Sequence, residues 1–119
     1  MRLTDAEWSV MDILWSVPCC SLGEIASALK TVKGWSKNTV HTYLTRMAAK
    51  GLVAIDHGSA KPYSANIARD HIARQERDQL LHKVYGGAAG DLIAAFLKET
   101  PISSQEAERL RQLLDDMEV

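Results

Sequence analysis

One four-residue signal occurs three times, as Thr4-Asp5-Ala6-Glu7, Ser21-Leu22-Gly23-Glu24 and Ser103-Ser104-Gln105-Glu106. In each, a hydroxyl residue stands three positions before a glutamate. The hydroxyl accepts a hydrogen bond from an otherwise unpartnered helix N–H. The carboxylate reaches back to the N–H of the hydroxyl residue, so both ends of the turn are satisfied together. A chain that writes this signal near both ends is committed to helices, and the apolar residues after each copy keep helical spacing. Trp8, Met11 and Trp15, with Val10, Ile13 and Leu14, give a broad apolar face from the first start to about residue 16, where Pro18 stops it. The second start leads to Ile25, Ala26 and Leu29, fading near Thr31 ahead of a Lys33-Gly34 turn. The third leads to Ala107, Leu110, Leu113, Leu114 and Met117.

Between them lies Trp35-Ser-Lys-Asn-Thr-Val-His-Thr-Tyr-Leu-Thr-Arg-Met47, a third helix capped by Ser36 and released at Lys50-Gly51. Val40, Leu44 and Met47 fall on its inward side, with Tyr43 and Ala48 on the flanks. Leu52 to Asp56 is rich in strand formers, His57 to Lys61 is a turn, and Pro62 to Ala65 returns as an edge strand. Three helices followed by a hairpin form a winged helix-turn-helix. Beyond Asn66 the pattern predicts a polar helix over 69–85 with a thin stripe of Ile72, Leu80 and Val84, then Gly86-Gly87, then a helix over 88–98. The expected organisation is mainly α: a winged-helix domain over 1–67 and a three-helix dimerisation region over 68–119. That region carries Leu80, Val84, Leu92, Ile93, Phe96, Leu97, Leu110, Leu113, Leu114 and Met117. So small a unit cannot bury this many apolar side chains alone, and a second copy is the simplest cover.

The net charge of -1 hides an uneven distribution: residues 30–61 carry about +5, while 1–29 and 99–119 carry about -3 and -4. No Asp or Glu stands between Trp35 and Ile55. With Val40, Leu44 and Met47 inward, the outward set on the third helix is Lys37, Asn38, His41, Thr42, Thr45 and Arg46. Short donors and acceptors beside cations are the side chains that read base edges and hold phosphates in a major groove. Lys37, Asn38, His41 and Thr42, in the half of the helix that enters a groove first, are the base-edge candidates. Ser36, Thr39, Tyr43, Thr45, Arg46 and Lys50, with Lys61 and Tyr63 of the wing, are the backbone candidates. Lys30 and Lys33 add sequence-independent attraction.

The segments Leu3-to-Trp15, Ser21-to-Lys30, Trp35-to-Val53, Tyr63-to-Ile67 and Lys83-to-Gly87 together resemble the penicillinase-repressor family. The likeness runs from Leu3 to Met117. It implies a homodimeric winged-helix repressor, whose N-terminal part holds half of a pseudo-palindromic operator in double-stranded DNA and whose C-terminal helices intertwine. It also implies control of an antibiotic-resistance or stress operon. In the β-lactam branch, a membrane sensor with a zinc-protease domain leads to cleavage of an Asn-Phe bond in the dimerisation helices. The matching position is Ala95-Phe96, which keeps the Phe and replaces the Asn. The copper branch carries a C-x-C-x4-C-x-C tail, whereas this chain has no cysteine after Cys20.

Other readings of the chain are bland. Cys19 and Cys20 are adjacent, so no disulfide framework is expected and a reducing cytoplasm fits. Neither has a His at metal-ligand spacing, and His71 and His82 lie too far apart along one helix to share an ion, so no metal or cofactor is expected. Trp8, Trp15 and Trp35 read as packing residues. The chain opens with no apolar leader, and no apolar run approaches the ~20 residues that span a bilayer, so membrane insertion is not expected. No nucleophile elbow, zinc-protease or phosphate-loop motif occurs, and an enzyme is not expected. Two alternatives use the same fold: a protein-interaction module, which has no need of a basic helix face, and a regulator gated directly by a small molecule.

Overall fold

A computed structural model describes residues 2–117. The order of elements is α1 (Asp5–Ser16), α2 (Leu22–Lys33), α3 (Lys37–Ala49), β1 (Val53–Ile55), β2 (Tyr63–Ala65), α4 (Arg69–Tyr85), α5 (Ala89–Glu99) and α6 (Ser104–Asp116). The chain divides into two compact units, Met1–Arg77 and Asp78–Val119.

All three capping boxes form, at Thr4, Ser21 and Ser103, each with both of its reciprocal hydrogen bonds. The second helix outlasts the sequence expectation by two residues, ending at Lys33. Its stop is Gly34, which takes the left-handed conformation at φ 68° and donates its N–H to the Lys30 carbonyl. Gly51 does the same work after α3 at φ 81°, and its neighbour Leu52 donates to the Met47 carbonyl at 3.0 Å.

The N-terminal unit has one core. Val10, Met11, Leu14, Ile25, Leu29, Val40, Leu44, Met47, Leu52 and Ile72 are all within 2% of full burial. Each such side chain contributes on the order of 1.5–3 kcal/mol by leaving water. Ile72 belongs to this core, so the first turns of α4 fold with the N-terminal unit. β1 and β2 pair antiparallel, with Val53 opposite Ala65 and Ile55 opposite Tyr63.

The sheet has a third participant that the sequence did not announce. Cys20 exchanges two backbone hydrogen bonds with Tyr63, at 2.8 and 3.0 Å. The linker between α1 and α2 therefore runs alongside β2 and ties the wing to the helix pair. Cys20 is buried there, and burial pushes its thiol pKa up, with Glu24 adding to the rise. Cys19 is exposed and neither cysteine is bridged.

The C-terminal unit is built otherwise. α5 and α6 contain no buried residue. Leu80, Val84, Ile93, Phe96, Leu97, Leu113, Leu114 and Met117 are all exposed in the single chain, Phe96 at 56% and Met117 at 64%. Leu92 and Leu110 are half-buried. Gly86 and Gly87 both adopt positive φ after α4, which turns the chain between two helices in a conformation that side chains resist. No helix among the described residues is long and apolar enough to cross a membrane.

Candidate nucleic-acid interface

The geometry of α3 follows from its first turn. Ser36 sits in extended backbone and its Oγ accepts the Thr39 N–H at 3.2 Å. The same Oγ lies 3.1 Å from Thr39 Oγ1, so both hydroxyls are occupied by the cap. From that start, Val40, Leu44 and Met47 reach zero exposure against the core. Lys37, Asn38, His41, Thr42, Thr45 and Arg46 are all exposed, and they make one continuous outer face. Thr39 and Tyr43 are half-buried at its margin.

Two hydroxyls on this face are turned back. Thr42 Oγ1 donates to the Asn38 carbonyl at 3.0 Å and Thr45 Oγ1 to the His41 carbonyl at 2.9 Å. A hydroxyl that has spent its proton on the preceding turn can only accept, and it leaves the γ-methyl as the other group on the outer side. The margin near the helix start is stiffened by Trp35, whose ring stacks on Tyr43 with centroids 4.5 Å apart and planes 3° from parallel. Beside it an open cleft of about 370 Å³ lies between α2 and the start of α3, lined by Gly23, Ala26, Ser27, Lys30, Trp35, Ser36 and Lys37.

The cations divide into two groups. Among the described residues, Lys30, Lys33, Lys37 and Arg46 have no carboxylate within ion-pair distance. Lys50 and Lys61 do. Lys61 Nζ is 3.4 Å from Glu24 Oε1, an exposed pair that links the wing to α2. The Glu24 carboxyl is held below the usual carboxylate range, first by the Ser21 backbone N–H and the Ser21 hydroxyl, with Lys61 assisting. Lys50 Nζ is 2.8 Å from Oε2 of Glu7, whose side chain is only 5% exposed. Burial alone would push the Glu7 carboxyl up, but hydrogen bonds from Lys50 and Thr4, and the Lys50 charge, outweigh it and leave the carboxyl below its usual range.

The wing tip, residues 57–60, is exposed. Asp56 shapes it, its Oδ1 accepting from the Gly58 N–H at 3.2 Å and its N–H donating to the Pro62 carbonyl at 2.8 Å. Tyr63 is not part of that exposed surface: it is 8% exposed and belongs to the core. Strand alternation carries the signal that the sequence reading passed over, since Tyr63 pairs with Ile55 and shares a face with Ala65, which packs on the same core. Nothing local signals the Glu7–Lys50 pair, because its partners stand 43 residues apart and the glutamate already has a capping role.

Trp8 and Trp15 are packing residues. Trp8 and Trp15 meet edge to face at 5.5 Å, and the Arg69 guanidinium lies 6.0 Å from the Trp8 ring centre. His71 is exposed, with Nε2 3.5 Å from the Gln75 amide nitrogen. No cluster of metal-ligating side chains occurs among the described residues.

The sequence profile named for the penicillinase repressor matches residues 3–116. The chain is 31% identical over 118 residues to a penicillinase repressor from Staphylococcus aureus, covering 98% of this chain and 94% of that one. It is 30% identical over 116 residues to the methicillin resistance regulatory protein MecI of Staphylococcus aureus strain N315, covering 96% and 94%. A penicillinase repressor from Bacillus licheniformis is 27% identical over 118 residues, covering 97% and 91%. Among solved structures, a MarR/EmrR family transcriptional regulator from Acinetobacter sp. ADP1 is similar at 20% identity and TM-score 0.48, covering 97% of this chain and 73% of that one.

Proposed function

The chain belongs to the penicillinase repressor family, a family of winged-helix transcriptional repressors and not of enzymes, and from that premise we propose that it represses transcription by holding a dyad operator as a homodimer. The observation that carries the reading is the outer face of α3. Its inward trio is fully buried, its outward residues are exposed, and no acid interrupts it. On this reading α3 lies in the major groove. Lys37, Asn38, His41 and Thr42 meet base edges, and Thr45 and Arg46 meet phosphates together with Lys30 and Lys33. Ser36 and Thr39 cap the helix and aim its first turn. The wing tip lies along the adjacent backbone.

Dimerisation falls to the C-terminal unit. Its Leu80, Val84, Ile93, Phe96, Leu97, Leu113, Leu114 and Met117 are exposed in the single chain, an apolar surface that a second copy would cover. Linking two readers makes the second half-site contact intramolecular and raises affinity without any new contact. Relief by proteolysis follows from the same dependence. The Ala95–Phe96 bond lies inside α5, so the helix must open locally before a protease can hold it extended. Cutting there would part Leu97 and α6 from the rest of the interface. A resistance or stress operon as target, a membrane sensor-protease as trigger and the cytoplasm as location complete the reading.

A gel shift with the duplex upstream of the chain's own gene tests it. Retardation of that duplex at concentrations that leave a scrambled duplex free is expected. Retardation of neither would point to a protein-interaction module instead, and equal retardation of both would contradict operator recognition while leaving sequence-independent DNA binding.

A further inference from the structure

Glu7 is the only buried acidic side chain among the described residues, and its two oxygens face different elements. Oε1 accepts the Thr4 N–H at 2.9 Å at the N-cap of α1, and Oε2 accepts from Lys50 Nζ at 2.8 Å. Lys50 is the C-cap residue of α3, so the bond ties the start of α1 to the far end of the proposed recognition helix. A charge buried this fully is retained only with a partner, because an unpaired carboxylate in the core is far more costly than an apolar residue. The consequence for Lys50 is electrostatic. Its side chain is 51% exposed and flanks a surface that would meet phosphate, yet its charge is already matched at 2.8 Å.

We propose that Glu7 is a positioning residue for operator recognition: it clamps the C-terminal end of α3 through Lys50 and withholds that lysine from phosphate, so that Lys50 is a strut and not a DNA ligand. This rests on the DNA-binding reading above. Each lysine that takes a phosphate releases counterions and adds sequence-independent affinity. A cation neutralised from within adds none, and attraction to DNA in general is kept low relative to attraction to the operator. The pair also fixes the register of α3 against α1, on which placement of Asn38 and Thr42 at base edges depends.

The test is a salt titration of binding to two duplexes, the upstream DNA and a scrambled one of equal length. Two variants are compared with the unaltered protein. Glu7→Gln with Lys50→Met removes the pair together and strands no buried charge. Its slope of log affinity against log salt should match the unaltered protein on both duplexes, while its preference for the upstream duplex falls several-fold. Glu7→Gln alone keeps the lysine and removes its anion. Its slope on the scrambled duplex should steepen by up to about 0.9 per protomer, the increment for one more phosphate contact. A double variant whose slope flattens by about 0.9 per protomer would make Lys50 a phosphate ligand and overturn the proposal, as would a slope unchanged in Glu7→Gln. An unaltered protein with no salt dependence on either duplex would remove the DNA-binding reading itself, a separate result.

Discussion

Trp15 donates its indole N–H to the Ile67 carbonyl at 2.9 Å, a bond between residues 52 positions apart. It fastens the chain just after the hairpin to the last turns of α1. The segment it anchors leads into α4, whose Ile72 completes the N-terminal core. One indole therefore holds the end of the wing and the beginning of α4 in place.

Replacing that donor isolates its contribution. Trp15→Phe keeps an aromatic ring against Trp8 but leaves the half-buried Ile67 carbonyl without its partner. A loss of about 1–3 kcal/mol in unfolding free energy is expected from urea titration. A loss indistinguishable from zero would mean that water takes the place of the indole at no cost.

Thr42 should be read through its methyl group. Its hydroxyl is already bonded to the Asn38 carbonyl, so Thr42→Val retains the outward methyl and Thr42→Ser removes it. Selection from a randomised duplex pool should show Thr42→Ser relaxing preference at one base pair by about 1–3 kcal/mol, with Thr42→Val changing it less. The reverse order would mean that the hydroxyl leaves the carbonyl to meet a base.

The Glu7 carboxyl fixes an acid limit. Its native pKa is depressed, so the unfolded chain takes up the proton more readily than the folded one. The stability it contributes is fully present above the ordinary carboxylate pKa and is lost as pH falls through the lower native value. Glu7→Gln should therefore be less stable than the unaltered protein by about 1–3 kcal/mol at pH 7, and the gap should narrow as pH falls toward 3. A gap that widens in acid would reverse the sign assigned here.

Phe96 tests the proposed dimer. Glutamate in its place would put a charge into an apolar contact between copies. Sedimentation should show dissociation at concentrations where the unaltered protein is dimeric, and operator affinity should drop by one to several powers of ten as linkage is lost. The thermal transition of the N-terminal unit should not move, because Phe96 lies outside that unit. A dimer as tight as before would place the interface elsewhere.

Much of this architecture was legible from the chain, for identifiable reasons. The capping boxes and glycine stops are local chemistry, so α1, α3 and α4 have close to the bounds that the sequence suggests. The inward trio of α3 was equally plain from spacing, and the outward set followed from it. What escaped were pairings between distant residues. The Cys20–Tyr63 backbone bridge needs two extended segments to meet, and neither advertises the other. Lys50 is the surface cation that the sequence suggests, but its bond to Glu7 is not legible there, because the partners stand 43 residues apart and the glutamate already has a capping role. Tyr63 reads as a wing-surface residue on type alone, whereas alternation along a three-residue strand turns its ring inward.

Hydroxyl-radical footprinting of the upstream duplex tests the central claim most directly. Two linked copies of α3 should protect two patches related by a dyad, with centres about 10 base pairs or a multiple of that apart. A single protected patch, or uniform weak protection along the whole duplex, would contradict a paired major-groove reader.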